Sequence, residues 1–419
     1  MKIIATSDWH LGNLFHGNDR LSEHRHFLNW LLERLEEHRP DALLVAGDVF
    51  HNGNPSAASQ NAYYEFLASA TQCCPDMRIV ITAGNHDSAS RLEAPRPLLA
   101  HHRVEVRGSV RRMWRDDGLQ NDYDDLIVPV FNADGEGVVL LAVPYLRYDV
   151  AQHADYSKGV NRFLRELTQR ARDLYPGRPL VMMAHMYAKG ADIATHDASE
   201  KIVIGGQEEV CMEGWNDHPD YLTCGHIHKR QHIWNTDWAR YTGSVLPMSF
   251  AEVDYRHGVD LLSWADDGRI AVDFLEYVPQ HRLRILPEDD QKRSHAQLKK
   301  LIHEKLAPRG VDGGLSDHYD YVMLKVEMDK VDNDAVKELE DIVGSKDAVL
   351  CKIQKILPEL NLRTIVGDRA MTTIDDVLDR DPLETLKEAF VVKHNMEMND
   401  RQTAMLRRLV DDVKNKSND

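Results

Sequence analysis

The ten residues Arg78-Ile79-Val80-Ile81-Thr82-Ala83-Gly84-Asn85-His86-Asp87 carry the reading of the fold. Arg78–Thr82, rich in β-branched side chains, has the length and composition of a buried strand. Ala83-Gly84 closes it, and the polar trio Asn85-His86-Asp87 follows at once. The same plan stands twice upstream. Lys2–Thr6 runs into Ser7-Asp8-Trp9-His10, and Ala42–Ala46 runs into Gly47-Asp48-Val49-Phe50-His51. Helical patterns separate the three. In Leu21–Glu37, Phe27, Leu28, Leu31, Leu32 and Leu35 recur at helical spacing, with Pro40 beyond the end; Ser56–Ala70 carries Tyr63, Tyr64, Phe66 and Leu67. Short apolar strands alternating with helices predict an α/β fold, with parallel strands and helices on the sheet faces.

Further strands are expected at Gly137–Val143, Leu180–Ala184, Tyr221–Cys224, His232–Asn235, Val259–Trp264 and Ile270–Tyr277. Arg111–Asp125, charged and glycine-containing, reads as a surface excursion. Two of these strands end like the first three: His185 follows Leu180–Ala184, and Gly225-His226-Ile227-His228 follows Tyr221–Cys224. In open α/β sheets ligands bind beyond the carboxyl ends of the strands. If these strands share one sheet, the five clusters meet on one rim.

The texture changes at Pro279. Expected strands at Arg282–Leu286, Tyr319–Glu327 and Val349–Ile356, with helices near Ser294–Leu306 and Asn333–Val343, describe a small α+β domain. The remainder is helical, with a start at Asp381-Pro382-Leu383-Glu384. There Leu383, Leu386 and Phe390 share one face, and Met405, Leu406, Leu409, Val410 and Val413 form a second stripe. The expected domains are 1–279, 280–365 and 366–419.

Composition removes several function classes. The 419 residues can bury a core without staples, and an ordinary apolar content excludes wholesale disorder. No run approaches the ~18 apolar residues of a membrane span, and Met1–Asp8 turns polar too early for a signal peptide. Five cysteines without a C-x-x-C pair make a disulfide framework or a cysteine zinc site a poor fit, so a cytoplasmic location is expected. A net charge of −17 argues against nucleic-acid binding by bulk charge, though Arg103–Arg115 and Lys292–Lys305 supply local basic surface. It suits a chain that gathers carboxylates around cations.

The 22 histidines acquire meaning from their placement. Carboxylate, carboxamide and imidazole together favour Mn²⁺, Fe²⁺ or Zn²⁺ over Ca²⁺ or thiolate-bound metals. The D-x-H and H-x-H pairs place two side chains on one side of an extended loop. A carboxylate such as Asp48 has two oxygens with which to bridge two ions. Two ions about 3.5–4 Å apart clamp a phosphate and acidify a water.

The ordered set D-x-H, G-D, G-N-H-D, H and G-H-x-H resembles the calcineurin-like metallophosphoesterase superfamily. Within it the chain is similar to bacterial DNA nucleases of the SbcD type, by Gly47-Asp48-Val49-Phe50-His51, by Gly225-His226-Ile227-His228, and by the long continuation after them. The resemblance implies a β-sandwich flanked by helices, a small α+β capping domain and C-terminal helices. It implies two divalent ions, with Mn²⁺ the family expectation. Asp8, His10 and His228 would hold one ion, Asn85, His185 and His226 the other, and Asp48 would bridge. His86 would act as acid or stabiliser at the departing oxygen and His51 would position the phosphate. Asp87 would orient its loop, and Trp9 would pack beneath the site or stack on a nucleotide.

By the same resemblance the activities would be 3′→5′ exonuclease action on duplex ends and endonuclease action on single strands or hairpins. The chain would form a homodimer within a heterotetramer containing an SbcC-type ATPase. Leu383, Leu386 and Phe390 are the candidate ATPase-binding residues; the bland reading packs them on their own domain. Two other functions remain open: a small-molecule phosphodiesterase or phosphomonoesterase using the same metals, and a non-catalytic scaffold.

Overall fold

A computed structural model describes residues 1–115, 118–131, 135–147, 150, 155–192, 209–211, 215–264, 269–289, 291–328 and 332–356, with isolated residues between 387 and 407. Two six-stranded sheets organise residues 1–279. The first runs Ile270–Tyr277, His257–Trp264, Lys2–Thr6, Ala42–Ala46, Arg78–Thr82, Val104–Arg107 across the sheet. The second runs Gln231–His232, Ala239–Tyr241, Tyr221–Gly225, Leu180–His185, Gly137–Ala142, Ile127–Phe131. Each has four adjacent parallel strands with an antiparallel strand at one or both sides.

The strands are apolar on both faces because both faces are covered. Ile3, Ala5, Leu44, Ala46 and Val80 meet Leu140, Ala142, Val181 and Met183 between the sheets. The many alanines in this layer let the two backbones come close. On the outer face of the first sheet, Ile4, Leu43, Val45 and Ile81 pack with Phe27, Leu31, Phe66 and Leu67 of helices Leu21–His38 and Ala57–Cys73. Ser56 starts the latter helix, its hydroxyl accepting from Ser59 N at 3.1 Å. The outer face of the second sheet is closed by Tyr156–Leu174 through Phe163, Leu164 and Leu167. Helix, sheet, sheet and helix thus form four layers.

One open condition is settled and one expectation needs correction. The cluster-bearing strands do not share one sheet: Lys2–Thr6, Ala42–Ala46 and Arg78–Thr82 lie in the first, Leu180–His185 and Tyr221–Gly225 in the second. The strand expected at His232–Asn235 stops at His232, because Trp234 and Asn235 turn the chain at φ +54° and +52°. Arg111–Asp125 does form an excursion, a hairpin of Arg112–Arg115 and Gly118–Asn121.

After Pro279, the strands Leu283–Leu286, Asp320–Glu327 and Ala348–Ile356 make a three-stranded sheet, accompanied by helices His295–Lys305 and Asn333–Gly344. Phe15 and Phe250 pack on Tyr321 and Met323 of this sheet. Beneath them lies a fully buried pair, Arg20 Nε to Glu23 Oε1 at 2.8 Å, and Tyr321 donates to Glu23 Oε1 at 3.2 Å. Met1–Val326 with Asp332–Lys355 is one compact unit; Glu327–Val331 with Ile356–Asp419 is the other. Leu383, Leu386 and Phe390, like Leu409, Val410 and Val413, lie outside the described residues. Among the described residues, no helix is long and apolar enough to cross a membrane.

Candidate metal centre

All five polar clusters converge where the two sheets present their parallel carboxyl ends. Three loops from the first sheet and two from the second supply them. Their backbones are unusual: Asp8, His10, Asp48 and His226 have φ of +51°, +47°, +50° and +99°. Each such residue costs ~1–3 kcal/mol and persists only where its surroundings fix it. Here Asp8 N donates to Gly47 O at 3.1 Å and His10 N to Asp48 O at 2.9 Å, lacing two loops together. Gly84 lets a third loop approach. A Cβ there would stand 2.1 Å from Asp48 Oδ1.

Asp48 occupies the middle, 2% exposed. Its Oδ2 lies 3.6 Å from His10 Nε2 and 3.4 Å from His185 Nε2, while Oδ1 accepts from His86 N at 2.9 Å. Ligand atoms of Asp8, His10 and His228 lie within 4.8 Å of one another, as do those of Asp8, Asp48 and His185. Asn85 Oδ1 lies 2.9 Å from His185 Nε2 and 3.0 Å from His226 Nδ1. All seven expected ligands are therefore in one cluster, and His10, His51 and His86 form a further close trio.

The donor set fits cations. Neither ring nitrogen of buried His10 has a hydrogen-bond partner, an expensive arrangement unless a ligand takes one. His185 Nδ1 faces Ala46 O at 2.9 Å, so Nδ1 carries a proton and Nε2 is turned inward. His228 Nδ1 faces Glu252 Oε1 at 2.9 Å, an imidazole oriented by a carboxylate as metal-bound histidines commonly are.

Burial lowers His10 well below the ordinary imidazole value. Burial and the neighbouring His185 bring His226 down to about 3. Both are thus kept neutral, the form that ligates. Burial opposes charge on Asp48 and His185 too, but their mutual attraction outweighs it. Asp48 is held well below the carboxylate range and His185 is pushed up to about 9. To ligate a cation through Nε2, His185 would have to be in its neutral form.

His51 and His86 lie partly exposed at the mouth, their rings 5.6 Å apart. His86 Nδ1 faces His51 O at 2.9 Å, so it donates and leaves Nε2 for a substrate. Asp87 accepts from Gly84 N, Val49 N and Phe50 N at 2.9–3.1 Å, clamping two ligand loops. Trp9 is fully buried against Phe27 and Phe66, with Nε1 donating to Thr6 Oγ1, so it packs.

Two neighbours of the site escaped the sequence. Asn13 places its carboxamide nitrogen 3.4 Å from His51 Nδ1. Glu252, fully buried, ends a single turn of 3-10 helix, Phe250–Glu252, 24 residues from His228, that no motif marks. Glu252→Gln is expected to weaken retention of one ion about 10–100-fold, the usual cost of losing such an orienting group. Titration against a competing chelator measures this, and unchanged affinity for both ions would remove Glu252 from the metal centre.

The model for the calcineurin-like phosphoesterase family matches residues 1–230, more than half of the chain, which therefore belongs to that family. The chain is a metal-dependent phosphoesterase. Among curated proteins it is similar to the SbcD component of the SbcCD nuclease of Rhodobacter capsulatus, 35% identical over 276 residues that cover 63% of this chain and 67% of the relative. The SbcD protein of Escherichia coli K12 is 30% identical over 303 residues, 69% and 71% of the two chains. That of Bacillus subtilis is 30% identical over 263 residues, 62% and 66%.

Proposed function

We propose that this chain is the nuclease component of an SbcCD-type complex, hydrolysing phosphodiester bonds in DNA during double-strand-break repair and recombination. In this reading Asp8, His10 and His228 hold one divalent ion, and Asn85, His185 and His226 hold the other. Asp48 bridges them, and Mn²⁺ is the ion expected. When bound, such a pair supplies a nucleophilic water at neutral pH and offsets charge on the phosphoryl group. The observation that carries the reading is the Asp48 carboxylate, within 3.4–3.6 Å of an imidazole from each ligand set.

The protein's own part follows from the orientation of its side chains. His86, with Nδ1 donating to His51 O, offers Nε2 to the departing 3′ oxygen and, as the imidazolium with both nitrogens protonated, delivers the Nε2 proton there, leaving the ring neutral. His51, held by Asn13, steadies a phosphate oxygen. Glu252 and Ala46 O fix the rings of His228 and His185. Residues 280–365 cap the site and restrict which DNA geometries reach it. Residues 366–419, with Leu383, Leu386 and Phe390, bind the SbcC-type ATPase in a cytoplasmic heterotetramer built on a dimer of this chain. Exonuclease action runs 3′→5′ on duplex ends, and endonuclease action falls on single strands and hairpins.

Incubation of the purified chain with labelled duplex, single-stranded and hairpin DNA and Mn²⁺, beside bis(p-nitrophenyl) phosphate, tests this. Cleavage of DNA that stops with chelator and returns with Mn²⁺ is expected. Turnover of the small ester with DNA left intact, even with the SbcC-type ATPase added, would favour the small-molecule phosphodiesterase.

A further inference from the structure

The turn Phe250–Glu252 carries two side chains that face different neighbours. Glu252 Oε1 faces His228 Nδ1 at 2.9 Å and so sets the orientation of that ring. Phe250 is buried in the layer formed with Phe15, Tyr321 and Met323, its ring centroid 5.3 Å from that of Phe15. Strand Leu283–Leu286 lies against the same turn. A three-residue turn therefore touches the three-stranded sheet with its first residue and the metal centre with its last.

The two contacts are joined by short hydrogen-bonded backbone. Glu252 N donates to Ser249 O at 3.2 Å and Ala251 N to Ser249 Oγ at 3.1 Å, closing the turn. Glu252 Oε2 accepts from Met248 N at 2.8 Å, so the carboxylate is tied to its own segment. A shift of Met248–Glu252 moves the carboxylate with it.

A second route from the sheet reaches the same segment. Tyr321 donates to Glu23 Oε1 at 3.2 Å, Glu23 accepts from Arg20 Nε and Nη2 at 2.8 Å each, and Arg20 Nη1 donates to Pro247 O. Arg20, Glu23 and Tyr321 are all fully buried. Losing one partner would strand a buried charge, which holds this chain of contacts in one geometry. Tyr321 thus fixes Pro247 through two charged groups and Phe250 through apolar packing. Core filling accounts for Phe250 by itself; it does not account for a buried ion pair that ends on the same segment.

We propose that Pro247–Glu252 is a coupling segment, in which Phe250 is a positioning residue that carries the seating of the three-stranded sheet to Glu252 and His228 and so sets the affinity of the ion held there. The inference rests on the metal assignments of the nuclease reading and adds the element that ties ion retention to the sheet. Coupled equilibria are reciprocal, so an ion at His228 favours the seated sheet in turn.

The test uses the full chain with Mn²⁺ as probe. It compares wild type, Phe250→Ala, Phe250→Leu, Tyr321→Phe, Glu252→Gln and the double variant of Phe250→Ala with Glu252→Gln. Titration against a competing chelator gives the affinity of each ion, and thermal unfolding is followed on the same samples. Phe250→Ala is expected to weaken one ion about tenfold, the same ion that Glu252→Gln weakens, and to leave the other within about twofold. Phe250→Leu, which refills most of the space, should recover most of the loss. The double variant should bind no more weakly than Glu252→Gln, because the ring acts through the carboxylate. A merely structural role would lower the unfolding temperature and leave both affinities at wild type, and that result in Phe250→Ala would overturn the coupling. So would additive losses in the double variant. Should Phe250→Ala not fold, Tyr321→Phe decides, since it removes only the bond to Glu23. It is expected to weaken that same ion severalfold, and wild-type affinity would overturn the proposal. Wild-type chain that retains no Mn²⁺ would overturn the metal assignments themselves, and the coupling with them.

Discussion

Asp48→Ala is expected to lose both metal ions on dialysis and to reduce phosphoester hydrolysis about 10²–10⁴-fold or more. The lower bound follows from outer-shell changes, which already cost about 10–100-fold in affinity or activity. Asp48 stands nearer than that, between His10 and His185, and its second oxygen receives His86 N. One substitution therefore removes an anion from both halves of the site and a tether from the His86 loop. Folding should survive. With Asp48 gone, His185 loses the main charge that raises it, burial favours its neutral form, and no unpaired cation is left buried. Metal content after dialysis, measured beside thermal unfolding, decides the matter. A folded variant that retains two ions would show that Asp48 does not bridge.

Much of this site was legible because chemistry and chain direction coincide in it. Each cluster stands within a few residues of a short buried strand, and parallel strands deliver their carboxyl ends to one side. Lys2–Thr6, Ala42–Ala46 and Arg78–Thr82 could be read from their apolar composition and the glycine or polar break after them. Membership of a sheet could not. A strand covered on both faces looks the same in either layer of a sandwich, so the sequence carries no mark separating Arg78–Thr82 from Leu180–His185. Tyr156–Leu174 was within reach, since Val160, Phe163, Leu164, Leu167 and Ala171 follow helical spacing and Asp155 caps its start, accepting from Lys158 N.

Glu252 and the Arg20–Glu23 pair were illegible for another reason. Each acts through a partner fixed only by tertiary structure: Glu252 through His228, and Glu23 through Tyr321, 298 residues away. Position in sequence does not announce a buried carboxylate whose whole role is to orient one imidazole.

His86→Ala is expected to keep both ions and to lose ~10²–10⁴-fold in kcat on DNA, the usual contribution of a positioned proton donor. The argument lies in what the ring already has. Nδ1 is committed to His51 O, so Nε2 alone faces outward, at the partly exposed mouth rather than in the buried floor. The backbone N of His86 holds Asp48, and alanine preserves that bond. The substitution therefore removes a proton donor without dismantling the cradle.

A ligand role is the rival, because nitrogens of His10, His51 and His86 approach within 4.8 Å of one another. Metal content separates the two roles. Loss of an ion from His86→Ala would make it a ligand and leave the leaving-group proton to another residue. Full occupancy with lost turnover would fix it as the donor. Substrate chemistry then supplies a further check. An ester of p-nitrophenol departs readily without a proton, whereas a 3′ alkoxide does not, so the loss should be much smaller on bis(p-nitrophenyl) phosphate than on DNA. Equal losses on both would shift the role of His86 from protonating the leaving group to holding the phosphate.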